Sequence, residues 1–269
     1  MSNWGSDISL FGRLAAHAEK IKAIMAACDY YHCECVRDVR LAREFGFKGE
    51  VLPVFPVTGG FEIDQMRKLR QPGPPSSKRH VVLKGYQNWA GRALVGLRAI
   101  ELCAELLEGY RVSIYLASSD VQLAAELLSQ KTGIPLEFDS AESAHDDILR
   151  LHGSAHVSIG LSISDAISTS LLEAMIMGSF PIQSNTGCGD EWIKNEVNGL
   201  LVHPESPEEV AMALRRTLTD DTMVDRAAEI NARLTTERLD KSVIQPQTIE
   251  MYKTMAKAKA TTVSKMEAN

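Results

Sequence analysis

The feature that most constrains the fold of this chain is a regular alternation of short apolar runs with amphipathic segments between residues 78 and 240. The apolar runs predict buried strands, and they are HVVLKG (80–85), YRVSIYLA (110–117), IPLEFD (134–139), AHVSIGL (155–161) and SFPIQS (179–184). The longer segments repeat apolar residues at the helical period. Strands that alternate with helices of this length form crossover units around a parallel sheet. We therefore predict a doubly wound, Rossmann-like α/β domain.

The predicted helices of this domain are GRALVGLRAIELCAELLEG (91–109), DVQLAAELLSQKTG (120–133), SAHDDILRLHG (143–153), a helix within residues 164–178, and SPEEVAMALRRTL (206–218), with two more near 221–233 and 243–258. Upstream, RQPGPPSSKRH (70–80) carries three prolines and cannot continue a helix or a central strand. We predict three parts: residues 1–75, too few elements for a stable domain, then a domain at 76–258, then a polar tail at 259–269.

Composition narrows the possible functions. The net charge of −6 argues against a general nucleic-acid binder, and no apolar run approaches a membrane span. The amino end lacks the charged and apolar regions of a signal peptide.

Five cysteines without framework spacing indicate reduced thiols and a cytoplasmic location. The cluster CDYYHCEC (28–35) suggests a zinc site, but it has no C-x-x-C pair. We therefore predict no metal site.

The stretch SDAISTSLLEAMIMGSFPIQS (164–184) allows two interpretations. Ser170 and Glu173 match the S-x-x-E capping box, so Glu173 would accept a backbone N–H group of its own helix. Alternatively, Asp165 lies in a loop at the carboxyl end of a strand, where doubly wound sheets bind ligands. The amides of the helix N-terminus and the hydroxyl groups of Ser168, Thr169 and Ser170 would then suit a phosphate. Position in the sheet favours the second interpretation.

A second loop, KGYQNWAGR (84–92), follows the first strand of the same sheet. Gly85 and Gly91 would let a ligand approach the backbone closely. Lys84 and Arg92 could neutralise a diphosphate, although both could also be ordinary solvated charges. The spacing fits neither the Walker loop nor the G-x-G-x-x-G fingerprint, which argues against a dinucleotide.

These residues together resemble the donor-binding half of a retaining glycosyltransferase with the two-domain GT-B fold. The match is Asp165-x7-Glu173, similar to the acid-x7-Glu signature of that family, and GDEWIKNEVNGLLVHPESPEEVAMAL (189–214), similar to a second family segment. The resemblance implies that Glu173 holds the ribose and that Asp165, where the family usually has glutamate, contacts the donor sugar. Thr169 and Ser170 would line the phosphate. Tyr86 falls near the position of a phosphate-binding arginine, and Arg92 near that of a lysine.

The function implied by this resemblance is transfer of a hexose from a nucleoside diphosphate sugar to a hydroxyl acceptor, in polysaccharide or glycoconjugate assembly, with no cofactor and no obligatory metal. The acceptor would be a sugar or a lipid-linked glycan, and the protein would be cytoplasmic, with peripheral membrane association as an option. Residues 1–75 resemble the last elements of the acceptor domain, so a partner chain could supply the remainder. The alternatives are a non-catalytic nucleotide-sugar-binding or interaction module and, less consistent with the sequence, a sugar-nucleotide epimerase.

Overall fold

The computed structural model describes residues 1–138 and 144–267, with side chains up to residue 256. Its strands, in chain order, are β1 (Tyr30–Tyr31), β2 (Glu50–Val51), β3 (His80–Lys84), β4 (Arg111–Tyr115), β5 (Leu136–Phe138), β6 (Val157–Gly160), β7 (Phe180–Ser184) and β8 (Leu200–Val202). The five predicted strands are confirmed within the described residues, and position 139 lies outside them. The strand β8 was not predicted, because its three residues are too few for a pattern.

The helices are α1 (Ser6–Ser9), α2 (Ala15–Ala27), α3 (Val36–Glu44), α4 (Ile63–Arg67), α5 (Ala93–Leu102), α6 (Ser119–Thr132), α7 (His145–Ser154), α8 (Thr169–Met177), α9 (Pro207–Thr219), α10 (Asp221–Leu239) and α11 (Lys241–Glu267). The helix predicted at 91–109 is shorter and is followed by a 3-10 turn, and residue 143 lies outside the described ranges. In the described parts of the chain, no helix combines the length and apolar character needed to cross a membrane.

The larger sheet confirms the predicted doubly wound architecture. Six strands pair in parallel in the order β5-β4-β3-β6-β7-β8. The first strand of this sheet, β3, lies in its middle, and β4 and β5 follow on one side of it. The chain then returns, and β6 pairs with the other side of β3. Strand order therefore reverses between β3 and β6. The carboxyl ends of these two strands form the crevice in which open α/β sheets bind ligands.

Alternating residues of the strands cover the two faces of this sheet, as the pleat requires. Val81 and Leu83 of β3 join a core that includes apolar side chains of α5, α6, α9 and α10. Val82, between them, joins a separate cluster with residues of α7. Helices thus pack on both faces, and the interior strands are buried on both sides, which is why their sequences read as continuous apolar runs.

A layer of buried polar groups lies under α7 and α8. His80 of β3 is hydrogen-bonded to Ser113 and Ser154, at 2.8 and 3.0 Å. His152 of α7 is hydrogen-bonded to Ser158 of β6 at 2.8 Å. Burial lowers the pKa of His80 to about 4 and that of His152 to about 3, so both imidazoles are neutral at pH 7.

The chain forms two compact units, residues 1–63 with 236–269, and residues 64–235. In the first unit, β1 and β2 pair in parallel. An apolar cluster joins Leu52 and Phe55 to Ile244 and Met251 of α11. The backbone near Phe61 also pairs with residues 239–241. Both ends of the sequence therefore contribute to one core.

The boundaries of the units differ from the predicted boundaries at 75/76 and 258/259. Residues 64–75 belong with the sheet unit because Arg67 donates to the carbonyl oxygen of Ala232 at 2.5 Å and Arg70 donates to that of Ile176. The predicted tail at 259–269 is helical as far as Glu267, within α11. Proline content marks where a regular element is interrupted, whereas contacts between distant residues decide where a unit ends.

Candidate functional site

The two loops predicted to carry the site lie side by side at the carboxyl ends of β3 and β6. Gly91 pairs with Ser162 in an antiparallel bridge. The amide of Ile163 donates to the carbonyl oxygen of Ala90 at 2.9 Å. The segment 85–92 is therefore joined to the segment that leads into Asp165 and α8, and the predicted site residues of both loops meet at one edge of the sheet.

Lys84, Asp165 and Glu173 form a charged cluster at this edge. Lys84 is the last residue of β3, Asp165 follows β6, and Glu173 lies on α8. Burial lowers the pKa of Lys84, and the carboxylates of Asp165 and Glu173 oppose that shift. Each acid is therefore near enough to stabilise the ammonium group electrostatically. One cation and two acids from three separate elements converge where the fold forms its crevice.

Glu173 is not the cap of its own helix, so the capping-box interpretation is wrong. The helix α8 begins at Thr169, which makes Glu173 its fifth residue. Its Oε1 atom accepts a hydrogen bond from Nε2 of His145 at 2.7 Å. Its side chain is 8% exposed, whereas that of His145 is 60% exposed. Burial raises the pKa of Glu173, while His145 and Lys84 lower it.

His145 is the residue of this site that the sequence did not assign. It is the first residue of α7, after the third strand of the sheet. A histidine at a helix start is usually a surface residue, and nothing local connects it to an acid 28 positions later. A hint lies in its position, because α7 begins at the same edge of the parallel sheet as the loops of the site.

The N-terminus of α8 presents backbone amides and hydroxyl groups at the crevice. Ser168 is the N-cap residue and is buried, but its side chain makes no capping hydrogen bond. Thr169 is exposed and Ser170 is half-buried. Since the side chain of Ser168 does not occupy the amides at this helix start, those amides are suited to an anion. The predicted placement of Ser168, Thr169 and Ser170 at such a helix start agrees with this geometry.

The glycines of the first loop are explained by contacts within the protein. A Cβ atom on Gly85 would lie 2.6 Å from Cα of Ala117. A Cβ atom on Gly91 would lie 2.2 Å from the carbonyl oxygen of Tyr86. Both positions therefore require glycine for close backbone packing, whether or not a ligand binds. The prediction that Gly85 lies against a ligand stays a prediction.

The guanidinium group of Arg92 is engaged by its own loop. It donates to the carbonyl oxygens of Asn88, Ala90 and Gly91, the shortest at 2.9 Å, to Gly91. It also forms an ion pair with Glu205 at 3.0 Å. Arg92 thus holds the loop in shape, and its predicted role in neutralising a diphosphate would require some of these bonds to be exchanged.

Tyr86 contacts the lysine of the cluster. The Nζ atom of Lys84 lies 4.6 Å from the centre of the Tyr86 ring. This cation–π contact fixes the ammonium group beside the two acids without neutralising it. At the position where the resemblance places an arginine, the chain therefore has a ring that supports a neighbouring lysine.

Comparisons with known proteins agree with the fold and the sequence motifs. The sequence model of the family described as glycosyl transferases group 1 matches residues 100–234, half of the chain. A curated relative, the uncharacterized glycosyltransferase MJ1607 of Methanocaldococcus jannaschii, is 30% identical over 123 residues. Those residues are 45% of this chain and 32% of the relative, so the match spans about a third of that protein.

Solved structures share the fold at low sequence identity. HepE of Anabaena, in complex with UDP-glucose, has a TM-score of 0.72 at 14% identity and covers 94% of this chain and 71% of its own. Sucrose-phosphate synthase of Thermosynechococcus elongatus has a TM-score of 0.73 at 18% identity, with coverages of 96% and 67%. The fold is that of GT-B glycosyltransferases, and with the match over residues 100–234 the chain belongs to the glycosyl transferases group 1 family.

Proposed function

We propose that residues 64–235 bind a nucleoside diphosphate sugar at the carboxyl ends of β3 and β6, and that the protein transfers the hexose to a hydroxyl acceptor. The observation that carries this proposal is the convergence of Lys84, Asp165 and Glu173 beside the N-terminus of α8, where Ser168 makes no capping hydrogen bond. Family membership supports the reaction class. UDP is the first nucleotide to test, since HepE binds UDP and UDP-glucose.

Each part of the cluster suits a different part of such a donor. The amides at the start of α8 and the ammonium group of Lys84 would stabilise the negative charge that develops on the departing diphosphate. The carboxylates of Asp165 and Glu173 accept hydrogen bonds and so suit the hydroxyl groups of the sugar and the ribose. Asp165 is one methylene shorter than the glutamate usual in the family, which leaves more space beside the transferred sugar.

We further propose that the transfer retains the anomeric configuration and serves polysaccharide or glycoconjugate assembly, as the resemblance implies. The helix start and Lys84 would perform the electrostatic work that a divalent cation performs in other transferases. We therefore expect transfer to persist in the presence of a chelator, measured with a radiolabelled donor. Loss of transfer on chelation, restored by one added metal, would contradict this part of the proposal.

The test of donor binding is calorimetric titration with UDP, ADP, GDP and CDP. We expect one of them to bind wild-type protein, and Glu173→Gln, which keeps the size of the side chain and removes its charge, to weaken that binding about 10- to 100-fold. The matched control is Glu137→Gln. Glu137 lies on the edge strand β5, is exposed, and forms an ion pair with Arg111 of β4. This variant should bind like the wild type.

Two results would contradict the proposed function, one for donor binding and one for sugar transfer. If none of the four nucleotides binds, or if both Gln variants bind like the wild type, the crevice is not a donor site of this kind. If the nucleotide binds but no sugar is transferred to any acceptor tested, the chain is a nucleotide-sugar-binding module or needs a partner chain for activity.

A further inference from the structure

The contact between His145 and Glu173 brings two elements together at the candidate site. It joins the first residue of α7 to the fifth residue of α8 through a bond of 2.7 Å. When Glu173 is ionised it can only accept a hydrogen bond, and in that state Nε2 of His145 carries the proton and donates it. The acid is buried while the imidazole is largely exposed, so the histidine connects a desolvated charge to the solvent side of the crevice.

The second oxygen of Glu173 has no such contact. Among the residues that the structure describes, Oε2 accepts no hydrogen bond. A buried carboxylate with one satisfied oxygen is costly unless a donor reaches the other oxygen, since desolvation of an ionised group is expensive. The arrangement fixes the orientation of the carboxylate and leaves one oxygen for a ligand.

We propose that His145 is a positioning residue for nucleotide binding, which holds Oε1 of Glu173 so that Oε2 is presented, ionised, to the ribose hydroxyl groups. This inference rests on the proposed function, in which Glu173 contacts the ribose. His145 itself touches no reacting atom. Its effect is exerted through the geometry and the charge of Glu173.

The charged and titratable groups that interact with Glu173 lie on three elements, β3, α7 and β4. Lys84 of β3 and His145 of α7 favour its ionised form. The carboxylate in turn acts on the buried hydroxyl of Tyr115 on β4, while Asp165, after β6, acts on Lys84. Without His145, only Lys84 of these groups would oppose the increase in the pKa of Glu173 that burial causes. Glu173 would then take up a proton at a higher pH.

The experiment compares wild type with His145→Ala and His145→Gln. The probes are the ribonucleoside diphosphate that binds most tightly among UDP, ADP, GDP and CDP, and its 2′,3′-dideoxy analogue. For the wild type we expect the dideoxy analogue to bind about 10- to 100-fold more weakly, as expected for lost hydrogen bonds to a charged acceptor. His145→Ala should lower that ratio towards one, and binding should be lost at a higher pH than in the wild type.

The conservative variant His145→Gln distinguishes a role of His145 in positioning Glu173 from a role in stabilising the fold alone. Gln retains an N–H donor, so His145→Gln should recover much of the ratio at pH 7.5. His17→Ala is the matched control, since His17 is an exposed helical histidine in the other compact unit. It should leave both the ratio and the pH profile unchanged.

The outcomes distinguish this inference from the function on which it rests. If the wild type binds no nucleoside diphosphate, both fail. If the wild type binds and Glu173→Gln weakens binding, but His145→Ala keeps the wild-type ratio and pH profile, only the positioning role is overturned. A lower melting temperature of His145→Ala with an unchanged ratio would show a purely structural contact and would also overturn it.

Discussion

At the scale of single residues, Arg92 shows how one side chain can fix the conformation of a loop at the candidate site. Arg92 satisfies three carbonyl oxygens of residues 88–91, and its ion pair with Glu205 is partly exposed. Hydrogen bonds from a charged donor to the backbone contribute more to stability than an exposed ion pair does. The loop therefore depends on the guanidinium group and little on its acidic partner.

We predict that Arg92→Ala lowers the free energy of unfolding by about 1–2 kcal/mol, because the carbonyl oxygens of Asn88 and Gly91 lose the donor that Arg92 provides. Glu205→Gln should change it by less than about 0.5 kcal/mol, as expected for an exposed pair. Urea denaturation of the two variants checks this. Equal losses in both variants would mean that the ion pair, and not the backbone contacts, holds the loop.

The residues of the site were only partly predictable for a physical reason. Asp165 and Glu173 could be predicted as candidates because their spacing, and the helix on which Glu173 lies, are local features of the sequence. The hydrogen bond of Glu173 to His145 and the contact of Lys84 with Tyr86 required coordinates. The first joins residues 28 positions apart, and the second depends on how a strand end turns into its loop. A capping box is a local pattern too, and there the pattern misled, because the helix begins one residue before Ser170.

At the scale of elements, the helices α8 and α9 begin with the same residue type in different ways. Ser206 precedes α9, and its Oγ atom accepts a hydrogen bond from the amide of Glu209 at 3.3 Å. Ser168 precedes α8 and makes no such bond. The side chain of Ser206 thus caps its helix, whereas the side chain of Ser168 does not.

We predict that replacing one of these serines affects stability and that replacing the other affects nucleotide affinity. Ser206→Ala should lower the free energy of unfolding by about 1 kcal/mol, the usual effect of losing an N-cap, without changing nucleotide affinity. Ser168→Ala should leave stability within about 0.5 kcal/mol and weaken binding of the nucleoside diphosphate severalfold. Thermal denaturation and calorimetry measure both effects. A stability loss in Ser168→Ala as large as in Ser206→Ala would indicate a cap at α8 as well.

The interior strands between residues 80 and 184 were predictable because burial on both faces imposes a continuous apolar pattern on each of them. The strand β8 was missed since three residues carry too little pattern. Helix α5 ends early at Leu102, and a separate turn follows at Ala104–Leu106. The helical period of the sequence continues through both segments, so it could not reveal the break.

At the scale of the whole molecule, the buried imidazoles make stability depend on pH. His80 has a pKa lowered by burial to about 4, against an ordinary value near 6.5 in the unfolded chain. Between these values the unfolded state binds protons that the native state does not bind. Stability is therefore complete above pH 6.5 and declines as the pH falls towards 4.

We predict that the free energy of unfolding decreases by roughly 2–3 kcal/mol from His80 alone between pH 7 and pH 4, with His152 adding to the decrease. Urea denaturation across this range measures the slope. His80→Gln, which can still hydrogen-bond to Ser113 or Ser154, should show a shallower slope. An identical slope in the variant would assign the acid sensitivity to other groups.

The division of the chain into units has a consequence for its synthesis. Leu52 and Phe55 form their apolar cluster with Ile244 and Met251, and the ribosome adds these two partners about 190 residues later. Residues 64–235 are contiguous and emerge before those partners. During translation the sheet unit can fold while the segment before it is still exposing apolar side chains, and in that interval the nascent chain is most open to chaperones and to aggregation.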